Sequence, residues 1–146
     1  MSDEMPLARL FGIVLQHHYA TLNERLRPFG LSAGQVPIML RLSAGQNVTQ
    51  ESLARQFHVD KGAVARAARR LEEGGFIRRE IDPVDRRAVR LFLTAEGERV
   101  VPEFVRFGRE WEDAITAGLD AGEQAMLRSL LDRMVGTCAD ARCCHE

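Results

Sequence analysis

The sequence predicts a mainly α-helical protein with one small β-hairpin, and three observations carry that prediction. Apolar residues recur at three- and four-residue spacing through most of the chain, the mark of amphipathic helices. The spacing changes to alternation in one short region, where Val89, Leu91 and Leu93 share a strand face. Directly before that region two short helical patterns follow each other across a brief gap.

At 146 residues the chain is long enough for one domain with a sizeable core. Its composition, 45% hydrophobic and 28% charged, is that of a soluble globular protein rather than a disordered one. The net charge of −1 hides an uneven distribution: Arg41 to Arg99 carries 12 basic and 9 acidic side chains, leaving 8 and 12 for the two ends. A basic middle between acidic ends suits a centre that meets a polyanion. No run approaches the roughly 18 apolar residues a membrane span needs, and Leu10 to Leu15 lacks a basic leader. The expectation is a cytoplasmic protein, and the three cysteines, gathered at the C-terminus instead of forming a disulfide framework, suit a reducing compartment.

The elements follow in order. Leu7, Leu10, Phe11, Val14, Leu15, Leu22 and Leu26 predict a long amphipathic helix over Pro6 to Arg27, ended by Pro28-Phe29-Gly30. Ser32 is placed to cap a second helix bearing Val36, Met39, Leu40 and Leu42, with Pro37 in its first turns. Thr49 caps a third of about two turns, with Leu53, Ala54 and Phe57 facing inward. Asp60 caps a fourth, in which Val64, Ala67, Ala68 and Leu71 form a narrow apolar stripe while Gly62, Arg66 and Arg69 project away and Arg70 lies on the flank. Gly74-Gly75 ends it. Alone, that basic face reads equally well as solvated surface.

Its neighbours make it specific. Two short helices joined by a tight turn, the second with exposed basic side chains, form a helix-turn-helix. Phe76 to Ile81 then reads as a strand, Asp82 to Arg87 as a turn and Ala88 to Leu93 as the returning strand, so a wing with two adjacent arginines at its tip follows the fourth helix. Thr94 and Glu96 open another long helix lined by Val100, Val101, Phe104, Phe107, Trp111 and Ile115, with a kink expected near residues 98–102 from Pro102. Asp120 and Glu123 form a capping box for a last helix bearing Met126, Leu127, Leu130, Leu131, Met134 and Val135.

This order of elements resembles the MarR family of winged helix-turn-helix transcriptional regulators. The resemblance covers nearly the whole chain and is most specific between Val59 and Gly97. Asp60, Lys61, Val64, Arg66, Leu71, Glu72 and Gly75 match the family's recognition-helix pattern; Asp82, Pro83, Asp85 and Arg87 match its wing turn; Leu93, Thr94 and Gly97 match the start of its next helix. Gly62 and Ala65 depart from it, standing where relatives usually carry hydroxyl residues. The expected organisation is a single unit over residues 1–146, with the winged part at 32–97, helical dimerisation parts at 5–30 and 98–138, and a disordered tail at 139–146.

The resemblance and the face analysis together make Arg66 the first choice for a base-edge contact in the major groove, with Arg69 and Lys61 on phosphate. Arg70 either joins them or braces the helix against Glu73 or the wing. Gly62 and Ala63 complete the DNA-facing first turn, where the amide of Gly62 can approach a phosphate. Thr49 and Gln50 open the third helix, a place for phosphate contact, although capping alone accounts for Thr49. The resemblance places Arg87 in the minor groove, with Asp85 orienting it and Arg86 as the alternative tip.

The first helix and the last two carry more apolar surface than so small a winged module covers, which predicts packing across a twofold axis in a homodimer. Two recognition helices then read a pseudo-palindromic double-stranded operator with half-sites about 10 bp apart. The resemblance further implies a repressor released by a small aromatic or phenolic ligand, for which His17, His18, Tyr19, Met39 and Arg41 are the candidates. Cys138, Cys143 and Cys144 lie too irregularly for an established zinc site, so no metal is expected there; a redox-responsive or metal-responsive regulator using this cluster is the alternative. A winged-helix module that binds protein without DNA is another. No Gly-rich phosphate loop, H-E-x-x-H or G-x-S-x-G is present, so no enzyme activity and no cofactor are expected.

Overall fold

The structure, a computed structural model, describes residues 4–45 and 47–140. Pro6 precedes helix α1 (Leu7–Leu26), where its missing N–H costs nothing. Leu26 is fully buried and Leu22 packs against the same core, whereas Leu7, Leu10, Phe11, Val14 and Leu15 lie exposed. A 3-10 turn at Arg27–Phe29, closed by Gly30 in the left-handed region, ends the helix. Ser32 does not cap the second helix directly. It opens a further 3-10 turn, Ala33–Gln35, by donating its N–H to Gln35 Oε1 at 2.8 Å, and the side-chain Oδ1 of Asn23 on α1 accepts the next amide, Ala33, at 2.7 Å. Helix α2 (Val36–Ala44) follows and buries Val36, Ile38, Met39 and Leu42.

The helix-turn-helix forms as the sequence predicts. Helix α3 (Gln50–Phe57) is capped by Thr49, whose Oγ1 accepts the Ser52 amide at 3.0 Å while Ser52 Oγ accepts the Thr49 amide at 3.0 Å. His58, at φ 53°, makes the left-handed step of the turn, and Asp60 caps helix α4 (Lys61–Glu73) through the Ala63 amide at 2.8 Å. Gly75 at φ 80° reverses the chain into β2 (Ile77–Ile81), paired in register with β3 (Val89–Leu93), Ile77 opposite Leu93 and Ile81 opposite Val89.

One element escaped the sequence reading. Val48–Thr49 forms a strand, β1, with Val48 opposite Leu91, so the hairpin becomes a three-stranded antiparallel sheet in the order β1-β3-β2. A strand of two residues is too short to show alternation, but it joins the wing to the start of α3.

Helix α5 (Ala95–Ile115) opens on Thr94, whose Oγ1 accepts the Gly97 amide at 3.1 Å and donates to Gly75 O at 2.6 Å. Gly97 is required by close approach: a Cβ there would sit 2.1 Å from Phe76 O. The bend expected at Pro102 does not divide α5, which continues across it. Residues up to Phe107 form one compact unit, whose largest fully buried side chains include Leu26, Met39, Leu53, Leu71, Ile77 and Leu91. Burying each such side chain stabilises the fold by about 2 kcal/mol relative to exposure.

Residues from Gly108 onward form a second unit. Helix α6 (Ala121–Asp140) is started by the predicted capping box, with Asp120 N–H on Glu123 Oε2 and Glu123 N–H on Asp120 Oδ1, each 2.9 Å. An ion pair between Arg128 and Glu112 ties α6 to the end of α5. Helix α6 reaches Asp140, two residues into the stretch expected as tail, and residues 141–146 lie outside the described residues. Among the described residues no helix is long and apolar enough to cross a membrane.

Candidate nucleic-acid interface

Helix α4 is held by its small apolar stripe. Val64, Ala68 and Leu71 are buried and Ala67 is half-buried against the core, while Lys61, Arg66, Arg69 and Arg70 are exposed. Gly62 and Ala63, in the first turn, are half-buried. At the end of the helix Glu72 takes the Arg79 backbone N–H at 3.1 Å and its guanidinium at 3.0 Å, fastening α4 to β2. The hydrogen-bonded Arg79 guanidinium holds the Glu72 carboxyl below its usual pKa, partial desolvation opposing it.

The wing is braced by a residue the sequence reading assigned only to a turn. Asp82 is buried; its Oδ1 accepts the Val84 amide at 2.8 Å and the Asp85 amide at 3.2 Å, and its Oδ2 accepts Arg90 Nε at 2.8 Å. Those two amides first, and then the Arg90 guanidinium, hold the Asp82 carboxyl below the usual carboxylate range, against the desolvation that opposes them. Cross-strand arithmetic would have found this brace, since Asp82 and Arg90 flank the turn at positions a hairpin brings together. Asp85 serves otherwise than expected: its Oδ1 accepts the backbone N–H of Arg87 at 3.0 Å, shaping the turn instead of gripping the guanidinium. Arg86 and Arg87 are exposed at the tip.

Two groups of arginines on and around the winged part differ in their pairing. Arg78, Arg79, Arg90, Arg99, Arg106 and Arg128 are paired with carboxylates. Among the described residues, Arg66, Arg69, Arg70, Arg86 and Arg87 enter no ion pair, and Arg70 makes neither of the braces considered for it. Lys61 reaches Glu51 at 3.5 Å. Guanidinium groups on one helix and on the wing tip after it that engage no carboxylate leave their donor sets open to an anionic partner.

Other candidates are less assembled. The Thr49 hydroxyl is occupied by capping, and Gln50 Nε2 is shielded from solvent without a protein acceptor. His17 and Tyr19 are exposed and His18 half-buried on α1, His18 and Tyr19 having ring centroids 5.5 Å apart. Met39 is fully buried in the core, and Arg41 donates Nε to Gln56 Oε1 at 3.0 Å. A cleft of roughly 610 Å³ lies between the end of α2, the sheet and the start of α5, lined in part by Leu42, Arg78, Phe92, Glu98 and Pro102; none of the five ligand candidates lines it. Cys138 is an exposed free thiol, and Cys143 and Cys144 fall outside the described residues. No cluster of three or more metal-binding side chains occurs among the described residues.

Fold and site together define a winged helix-turn-helix protein whose helix α4 presents exposed basic side chains. The MarR family model matches residues 31–89. The multiple antibiotic resistance protein MarR of Escherichia coli (strain K12) is 30% identical over 92% of this chain and 94% of that protein. A crystal structure of MarR superposes with a TM-score of 0.88 at 35% identity, covering 96% of this chain and 95% of the other. A mutant MarR from E. coli complexed with operator DNA matches with a TM-score of 0.79 at 30% identity, over 89% of this chain and 94% of the other. The chain belongs to the MarR family, and is thus a DNA-binding transcriptional regulator of the winged helix-turn-helix class.

Proposed function

We propose that the protein is a homodimeric repressor that binds a pseudo-palindromic operator and is released from it by a small aromatic or phenolic ligand. The observation that carries the DNA-reading part is the pairing pattern: among the described residues the arginines of α4 and the wing tip have no carboxylate partner, while Arg78, Arg79 and Arg90 of the sheet do. In this reading Arg66 meets a base edge, Arg69, Arg70 and Lys61 meet phosphate, and Arg87 or Arg86 enters the minor groove. Gly62, Ala63, Thr49 and Gln50 line the approach, and Asp85 sets the turn that presents Arg87. The dimer is supported by the exposed apolar side chains of α1 and α6, among them Leu10, Val14, Leu127 and Leu130. Two protomers then place two reading helices about one turn of DNA apart.

The ligand part rests on the family, with His17, His18, Tyr19, Met39 and Arg41 as the residues to vary. The test is selection of bound duplex from a random pool, repeated with a panel of phenolic and aromatic acids. The expected result is a pseudo-palindrome whose binding weakens with one or more of the acids. Recovery of a single unpaired half-site would overturn the dimeric reading, and retention unaffected by every acid the release mechanism.

A further inference from the structure

Gly62 stands where relatives usually carry a hydroxyl residue, and the structure gives its absence of a side chain a purpose. Its backbone is helical rather than left-handed, so conformational freedom does not explain a residue that is disfavoured in helices relative to alanine. Space does. Gly62 lies one turn before Arg66 on the same face, and helical side chains lean toward the N-terminus. A Cβ on Gly62 would lie 3.1 Å from Arg66 Nη1 and 4.0 Å from its Cζ, and 2.9 Å from Asp60 Oδ1. The Asp60 carboxylate is not free to retreat, because the same Oδ1 holds the Ala63 amide at 2.8 Å. The guanidinium is the far end of a flexible chain and can swing away, whereas the tighter contact with Asp60 Oδ1 is relieved only by a small adjustment of the cap, a separate effect that does not depend on Arg66. Among the described residues no ion pair holds Arg66 elsewhere, and its guanidinium lies over the opening above Gly62.

We propose that Gly62 is a positioning residue that determines specificity through Arg66: by leaving that space empty it lets the guanidinium rest against the first turn of α4 beside Asp60, and so sets which base pair Arg66 reads. The proposal rests on Arg66 meeting a base edge. A side chain at 62 pushes the guanidinium outward, lengthening its reach toward a different edge.

The experiment compares the full-length protein with Gly62→Ala, Arg66→Ala and the double variant on a pool-selected operator, at one stated salt, with each base pair replaced in turn. Arg66→Ala is expected to weaken binding about tenfold and flatten the preference at one base pair per half-site. Gly62→Ala is expected to weaken the same operator about fivefold, alter the preference at that same base pair, and leave the other positions unchanged. In the Arg66→Ala background the Gly62→Ala change has less than about a twofold effect, since the group it acts through is gone. Its salt slope matches that of the parent, because no phosphate contact is lost. Gly62→Ser repeats the comparison with a hydroxyl restored, and circular dichroism with thermal unfolding checks that each variant is folded. The proposal is overturned if Gly62→Ala leaves base preference untouched, or if its loss is the same with and without Arg66, which would place its action in the cap of α4 or at a phosphate. A different failure, Arg66→Ala with unchanged affinity and preference, would remove the base-reading role of Arg66 itself.

Discussion

Helices α4 and α6 use their surfaces in opposite ways. Helix α4 buries Val64, Ala68 and Leu71 and shows solvent a row of arginines, whereas α6 buries none of its described side chains and exposes Met126, Leu127, Leu130, Met134 and Val135. A helix that has already used its apolar stripe within its own module has only charge left to offer, and charge of one sign fits a polyanion. A helix with its apolar stripe still open is unfinished, and in the proposed homodimer a second copy of the chain would cover it. On the proposed reading the two helices meet two different partners, and substitutions on each should fail in different assays.

The largest effect is expected on the unfinished side. Replacing Leu127 and Leu130 together with glutamate puts charge into the stripe of α6 and should leave the protein monomeric at micromolar concentration in sedimentation. Operator affinity should then fall by about a hundredfold or more as the second half-site contact is lost. A double variant that remains dimeric would remove α6 from the interface and break the comparison.

Next in size is a change inside the winged module. Gly97→Ala forces a Cβ toward Phe76 O, a contact 2.1 Å long that neither backbone can relax cheaply, and should destabilise by about 3 kcal/mol in urea unfolding. Gly136→Ala on α6, where no described residue lies within 4 Å of an added Cβ, should instead be neutral or stabilising by up to about 1 kcal/mol. Equal losses at the two sites would mean that α6 is packed as tightly as the module.

On the charged side, Arg87→Ala should weaken operator binding about tenfold and lower the salt slope by about one. Arg106→Ala, which removes a guanidinium already paired with Glu103, should change binding less than about twofold. If the two arginines prove equivalent, the division into paired and uncommitted sets has no functional meaning.

Most of this contrast was legible in the sequence because both helices state their periodicity and caps locally. Asp60 and Thr49 cap where they were expected to, and the Asp120–Glu123 box forms as written. What stayed hidden depends on partners distant in sequence. Val48–Thr49 is a strand only because Leu91 and Arg90 lie opposite it. Asp82 reads as a turn former until Arg90 is brought beside it, and Asp85 was assigned to a guanidinium when a backbone amide lay nearer. Glu72 was matched to the recognition-helix pattern, but its use as a fastener shows only once β2 returns with Arg79. Local chemistry predicted which residues face outward; the fasteners that hold them needed the fold.

The smallest predicted effect tests whether the wing belongs to the rigid side of the comparison. The folded pKa of Asp82 is depressed, by the Val84 and Asp85 amides first and Arg90 after them. A carboxylate depressed on folding contributes stability that is fully present above its unfolded pKa, and loses it as pH falls through the lower folded value. Wing order should therefore be constant from pH 7 to about 5 and loosen only below about pH 4. Amide exchange at Val84 and Asp85 measures it, since both N–H groups are held by the same carboxylate oxygen. Asp82→Asn keeps an acceptor for the amides but gives Arg90 no charge, so it should exchange faster than the parent at pH 7 and show no further step on acidification. Above pH 5, identical exchange in parent and variant would mean that the turn is held by its backbone alone and that the Asp82–Arg90 pair contributes nothing to presenting Arg87.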